Sequence, residues 1–158
     1  MSGQENSIIL SVVVPCFNEI STIGEVINNI LESPINPKEI IIVDDFSTDG
    51  SREYLKKIKN KNIKIILNEK NLGKGAALSK GIKFAKGQIV IIQDADLEYD
   101  PNEYSNVIGP ILNGKADIVY GSRFQGGRPH RVVYFWHRVG NGFLTILSNL
   151  FTDLNLTD

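Results

Sequence analysis

The sequence predicts an α/β fold in which a mostly parallel sheet is covered by helices on both faces, and three observations point there. Short apolar runs rich in Ile and Val recur at residues 8–14, 39–43, 63–67, 88–93 and 117–120, each too brief for a helix. Segments with helical spacing lie between them at 22–31, 51–59, 75–85 and 102–112. Strand and helix thus alternate four times before a last strand, the order that builds parallel sheets buried on both sides. Ligands of such sheets sit beyond the carboxyl ends of the strands, so the strand exits are where chemistry is to be sought.

The first strand leaves through Pro15-Cys16-Phe17-Asn18-Glu19, where proline ends pairing. The residues after it either lie flat against a planar ligand such as a base or form a polar loop. Thr22 with Glu25 three residues on reads as a capping box, and Ile23, Val26, Ile27, Ile30 and Leu31 give that helix its buried face. The second strand leaves through Asp44-Asp45-Phe46-Ser47-Thr48-Asp49-Gly50, three acids where capping needs only one. Asp49 reads as the cap, which leaves Asp44 and Asp45 to accept from a base N–H or a ribose hydroxyl.

The third exit carries Asn71-Leu72-Gly73-Lys74-Gly75. Its glycines permit close backbone approach and Lys74 can meet phosphate; a flexible helix start is the alternative. The spacing is neither that of a Walker loop nor that of a dinucleotide fingerprint. The fourth strand ends in Gln93-Asp94-Ala95-Asp96-Leu97-Glu98. As the chain curls out of the sheet, Asp94 and Asp96 can converge on one hard cation, though carboxylates here can also just solvate a loop. Asp100-Pro101-Asn102-Glu103 then supplies a cap, an N1 proline and an N3 acid. The fifth exit, Gly121-Ser122-Arg123-Phe124, brings a guanidinium that either pairs with those carboxylates or holds a second anion. Chemistry suited to base, ribose, phosphate, metal and anion at consecutive exits is what raises a functional reading above loop solvation.

Composition sets the outer bounds. With 158 residues, 42% hydrophobic and 22% charged, the chain fits one soluble domain with a sizeable core. A net charge of −1 gives no overall bias toward nucleic acid, and no nucleic-acid partner is expected. Charge is nevertheless segregated, because residues 118–152 hold Arg123, Arg128, Arg131 and Arg138 and no acid. Cys16 is the only cysteine, which excludes an intrachain disulfide and suits a reducing compartment. The polar start lacks the order of a secretory signal, and no window approaches the roughly 18 apolar residues of a membrane span, so the chain reads as soluble or peripheral. Residues 139–151 form an apolar-rich helical stretch whose Phe143, Leu144, Ile146, Leu147, Leu150 and Phe151 suit a bilayer interface and a protein core equally well. Residues 1–158 read as a single domain, and the stop after Thr157-Asp158, without a capping or tail signature, suggests a C-terminally shortened piece of something longer.

Together, the motifs Val13 through Glu19, Val43 through Gly50, Asn71 through Gly75, Gln93 through Glu98 and Gly121 through Phe124 resemble those of the family 2 inverting glycosyltransferases of GT-A fold. Within that family the likeness is to polyprenol-phosphate (dolichol-phosphate) mannosyl- and glucosyltransferases. The resemblance implies that Pro15, Phe17, Glu19 and Asp45 surround the nucleoside of GDP-mannose or UDP-glucose. It implies that Asp94 and Asp96 hold Mg²⁺ or Mn²⁺ on the diphosphate, helped by Glu98, which stands where relatives commonly have Gln. Arg123 and Arg138 match arginines that grip the phosphates of donor and acceptor, and Asp158 matches the first residue of an Asp-x-x-x-Gly-Phe-Arg motif. The implied reaction is inverting transfer of a hexose to a polyprenyl phosphate, at the cytoplasmic face of a membrane. A transferase acting on a sugar hydroxyl in cell-surface polysaccharide synthesis and a silent nucleotide-sugar binding module are the alternatives. Oligomeric state is left open.

Overall fold

The computed structural model describes residues 9–121 and 135–152, the side chains of 135–138 and 152 excepted. Four parallel strands, β1 (Leu10–Cys16), β2 (Lys38–Asp44), β3 (Ile63–Leu67) and β4 (Ile89–Ile92), form one sheet in the order β3-β2-β1-β4. Their register pairs Val13 with Ile41 and with Ile92, and Ile42 with Ile65. The sheet therefore grows from β1 to β3 on one side and resumes with β4 on the other. That reversal beside β1 is the switch point at which open α/β sheets leave a crevice.

Helices α1 (Ile23–Glu32), α2 (Ser51–Leu55), α3 (Lys74–Ile82), α4 (Tyr104–Leu112) and α5 (Phe135–Thr152) complete the described elements, with a 3₁₀ turn at Pro101–Glu103 leading into α4. Alternation along the strands sends Leu10, Val12, Val14, Ile40 and Ile42 to one face, where Ile23, Val26, Ile27 and Ile30 of α1, Leu55 of α2 and Ile108 of α4 bury them. Val13, Ile41 and Val43 face the other way onto Ala77 of α3. Burial of each such side chain contributes about 1.5–3 kcal/mol, which is why both faces need cover. Gly81 lets α3 lie close to the sheet: a Cβ there would stand 2.5 Å from Val13 Cγ1. The α3 face is covered over β1 and β2 and is barer at β4, where Val90 and Ile92 are 39% and 48% exposed.

Two local expectations need correction. Thr22 does not form the capping box with Glu25; its side chain accepts no cap bond, and its hydroxyl is turned to the incoming loop, where it donates to Glu19 Oε2 at 3.0 Å. Residues 117–120 form no strand among the described residues, and Ile118 and Tyr120 stand 70% and 69% exposed. An apolar alternation makes a segment able to pair, but a strand exists only where a neighbour accepts its hydrogen bonds. The cap at Asp100 forms as expected, accepting from the Asn102 N–H with Pro101 at N1.

Candidate functional site

Beyond the carboxyl ends of the strands lies a cleft of about 230 Å³, lined chiefly by the exits of β1, β2, β3 and β4. Pro15, Phe17 and Glu19 come from the first exit, Asp45 from the second, Asn71, Gly73 and Lys74 from the third, and Asp94, Ala95 and Asp96 from the fourth. Seven of the residues singled out in the sequence, Pro15, Phe17, Glu19, Asp45, Lys74, Asp94 and Asp96, thus share one cavity.

The first two loops are sewn to each other. Ser47 Oγ accepts from Asn18 N–H at 2.9 Å, Ser51 Oγ from Glu19 N–H at 2.9 Å, and Asp49 Oδ2 from Ile20 N–H at 2.9 Å. Thr48 N–H returns a bond to Asn18 Oδ1 at 2.8 Å. Asp49 also accepts from Ser51 N–H, the first of α2, from the position before the N-cap residue Gly50, and Asn18 and Phe46 take left-handed φ values of 59° and 69° at the bends. Phe17 is left 47% exposed at the rim, a free apolar face beside the cavity.

Asp45 organises the third loop. Its carboxylate, 3% exposed as a residue, accepts from Asn68 Nδ2 at 2.7 Å, Leu72 N–H at 3.0 Å and Gly73 N–H at 2.7 Å. Gly73 sits at φ +87°, where only glycine turns freely. Burial pushes the Asp45 carboxyl up, but the bonds from Asn68, Leu72 and Gly73, with the charge of Lys80, outweigh it and hold the group below the usual carboxylate range.

Asp44 turns out to do different work from that expected. It is fully buried outside the cleft lining, where its Oδ2 accepts from Arg52 at 2.9 Å and its Oδ1 from Ser47 N–H at 3.3 Å. Adjacent strand residues point to opposite faces, so only one of the Asp pair can face the cavity. Arg52 goes on to donate to Asn68 O at 2.7 Å, tying β2 to the β3 exit. Burial, followed by the Asp44 charge, pushes the Cys16 thiol up to about 12, so this cleft residue is no thiolate nucleophile.

At the fourth exit Asp94 and Asp96 both line the cavity while Glu98 does not. Asp96 Oδ1 accepts from Glu98 N–H at 3.1 Å, and Leu97 between them is held at φ 64°. That is a strained setting for a non-glycine residue, of the kind that clusters at functional loops. Lys74 Nζ stands 2.7 Å from Asp94 Oδ1 and 2.8 Å from its Oδ2. No three-carboxylate metal cluster occurs among the described residues. A two-carboxylate set still fits a hard dication, because Mg²⁺ commonly takes one or two protein carboxylates and completes its shell with substrate phosphate and water. Glu98 stands outside that pair.

Gln93, which opens the fourth exit motif, has a role to which no sequence expectation was attached. It is buried at the end of β4, its Nε2 donates to Asp94 O at 3.2 Å and Tyr99 O at 3.1 Å, and its Oε1 accepts from Tyr104 at 2.8 Å. These bonds close the 94–99 loop into a ring behind the carboxylates. A lone amide at the end of an apolar run was the available signal. Arg123 and Asp158 lie outside the described residues, and Arg138 is on α5 with its side chain outside them.

An open parallel sheet with an acid-bearing crevice at its switch point places the chain in the α/β class whose ligands sit at that crevice. The profile for glycosyl transferase family 2 matches residues 11–152, and the chain belongs to that family. It is 32% identical over 142 residues to the dolichol-phosphate mannosyltransferase of Pyrococcus furiosus, covering 87% of this chain and 40% of that protein. The solved structure of S. aureus TarS 1-349 in complex with UDP-GlcNAc is 26% identical with a TM-score of 0.60, over 75% of this chain and 39% of that one. The mannosyltransferase PcManGT from Pyrobaculum calidifontis in complex with GDP-Man and Mn²⁺ is 31% identical with a TM-score of 0.54, over 63% and 31%. The chain thus spans well under half the length of each of these proteins. The GT-A architecture read from the sequence stands.

Proposed function

We propose that the cleft binds a nucleotide-diphosphate hexose, GDP-mannose or UDP-glucose, and that the chain transfers the hexose with inversion to a polyprenyl phosphate with the help of Mg²⁺ or Mn²⁺. The observation that carries this reading is the convergence of Asp45, Lys74, Asp94 and Asp96, from three separate strand exits, on one cavity. The names of the similar proteins support it: one is a dolichol-phosphate mannosyltransferase, and one neighbour holds GDP-Man with Mn²⁺.

In this reading Phe17 stacks on the base and Asp45 keeps the second and third loops at the spacing the nucleoside needs. Asp94 and Asp96 would hold the dication, which supplies charge neutralisation to the departing diphosphate. A phosphate oxygen of the acceptor attacks the anomeric carbon from the face opposite the diphosphate. The new C–O bond forms as the old one breaks, and its electron pair leaves on the diphosphate. The acceptor monoester is already ionised at pH 7, so no side chain has to remove a proton. Arg123 and Arg138 suit the holding of its charge. Asp158 carries no assigned step.

The lipid acceptor also gives α5 a role. Among the described residues Phe143, Leu144, Ile146, Leu150 and Phe151 are 61% to 82% exposed, and no helix there is long and apolar enough to cross a membrane. An apolar face of that kind suits peripheral contact with a cytoplasmic leaflet.

Calorimetry with GDP-mannose and with UDP-glucose, each with and without Mn²⁺, tests the donor site, and transfer of radiolabelled hexose to polyprenyl phosphate tests the reaction. Metal-dependent binding followed by transfer is the expected result. Binding without transfer would favour a donor-binding module, and no binding of either donor would remove the reading altogether.

A further inference from the structure

We propose that Lys74 is a resident counter-cation of the cleft, which makes capture of a divalent metal by Asp94 conditional on arrival of the nucleotide diphosphate. This rests on the nucleotide-sugar reading of the same cavity and goes beyond it in assigning an order to binding.

Three observations carry it. One ammonium engages both oxygens of Asp94, at 2.7 and 2.8 Å, so a bare dication approaching that side chain meets a positive charge already seated on it and has to compete with the lysine. The two ends of Lys74 differ in freedom. Its backbone opens α3 directly after Gly73, whose N–H is fixed on Asp45 Oδ2 at 2.7 Å, whereas its side chain is 59% exposed on a flexible four-carbon stem. Finally, both partners line the same cavity, so the ammonium can move from carboxylate to an arriving diphosphate without leaving it.

A diphosphate therefore performs two tasks at once. It draws the ammonium off Asp94, and its own oxygens complete the shell of the dication that replaces it. Without nucleotide the lysine and the metal compete; with nucleotide they cooperate. By linkage the effect is reciprocal, so metal and nucleotide each raise the other's affinity by one common factor, and Lys74 is a source of that factor.

The test uses the full 158-residue chain and two readouts independent of turnover, the electron paramagnetic resonance signal of free Mn²⁺ and calorimetry with GDP and with UDP. Wild type is compared with Lys74→Gln, with Lys74→Arg, and with Lys70→Gln, which removes from the same loop an exposed charge that makes no ion pair with Asp94. Lys74→Gln is expected to bind Mn²⁺ alone at least about threefold more tightly than wild type, the size of a partly exposed ion pair. It should bind nucleotide without metal more weakly and show a smaller mutual enhancement. Lys74→Arg and Lys70→Gln should stay within about twofold of wild type for Mn²⁺ alone. Equal or weaker Mn²⁺ binding by Lys74→Gln overturns the role of Lys74, and so does an equal gain in Lys70→Gln, which would reflect the general field. Failure of both nucleotides to bind wild type overturns the nucleotide-sugar reading itself, and the conditional order falls with it.

Discussion

The two sides of the cleft use the same side chain for opposite ends. On the β1–β2 side the carboxylates of Asp45 and Asp49 are taken up by N–H groups of neighbouring loops, and among the described residues neither has a cation within ion-pair distance. On the β4 side Asp94 lines the cavity with both oxygens on the ammonium of exposed Lys74, and Asp96 accepts one backbone bond. An Asp at a strand exit is committed to the architecture where protein donors saturate it and is open to a ligand where they do not. Substitutions on the two sides should therefore fail in different ways.

The largest effect is expected at Asp96. Asp96→Ala removes one of the two carboxylates that the β4 exit brings to the cavity, at an exposed position, so metal-dependent donor binding and hexose transfer should drop about 100-fold or more while the melting temperature stays nearly fixed. Calorimetry and thermal unfolding on one preparation check both halves. Transfer at the wild-type rate would contradict the division of labour between the two sides.

Asp45→Ala should do the reverse first, unfolding the protein more easily. It strands the Nδ2 of buried Asn68 and takes an acceptor from the exposed N–H groups of Leu72 and Gly73, the latter keeping Asn71 Oδ1, a loss of about 1–3 kcal/mol by the usual penalty for an unpaired buried donor. Urea unfolding reads this directly, and weaker nucleotide binding should follow as the 71–74 loop loosens. A pH series sharpens the contrast. The folded-state values of Asp45 and Asp49 lie below the ordinary 3.8, so their contribution is fully present above that value and is lost as pH falls through the lower folded values. The melting temperature should decline below about pH 4, and less steeply in Asp45→Asn than in wild type.

What the sequence made legible follows the range of the forces involved. Residues 63–67 are a strand as read, and the Asp100-Pro101 start needs only contacts within a few residues. The convergence of Pro15, Asp45, Lys74 and Asp94 follows from topology, since alternating strands and helices put every exit on one edge. Which Asp of the 44–45 pair faces the cavity was not legible. The alternation says that one must turn away, and Arg52 decides which, through a contact across eight residues that no local pattern marks. Thr22 was misread for a related reason, its hydroxyl choosing Glu19 over the helix it precedes. The bonding of Gln93 depends on Tyr99 and Tyr104 returning beneath β4, and strand pairing at 117–120 depends on a partner, so both lie beyond what periodicity can state.

The smallest effect separates the floor of the cleft from its rim. Cys16 lines the cavity yet is 1% exposed, and burial with the nearby Asp44 charge pushes its thiol to about 12. At pH 8 a thiol-reactive disulfide reagent should therefore leave the folded protein almost untouched, and full labelling should appear only as urea unfolds it. Nucleotide should change the labelling rate little, because protection comes from packing beneath β1 and not from whatever occupies the cavity. Asp45→Ala is the informative background. If the 71–73 loop that Asp45 holds helps cover that floor, the variant should label faster than wild type well below its unfolding midpoint, whereas Asp96→Ala should label at the wild-type rate. Equal rates in both variants would mean that the cover over Cys16 does not owe its rigidity to Asp45.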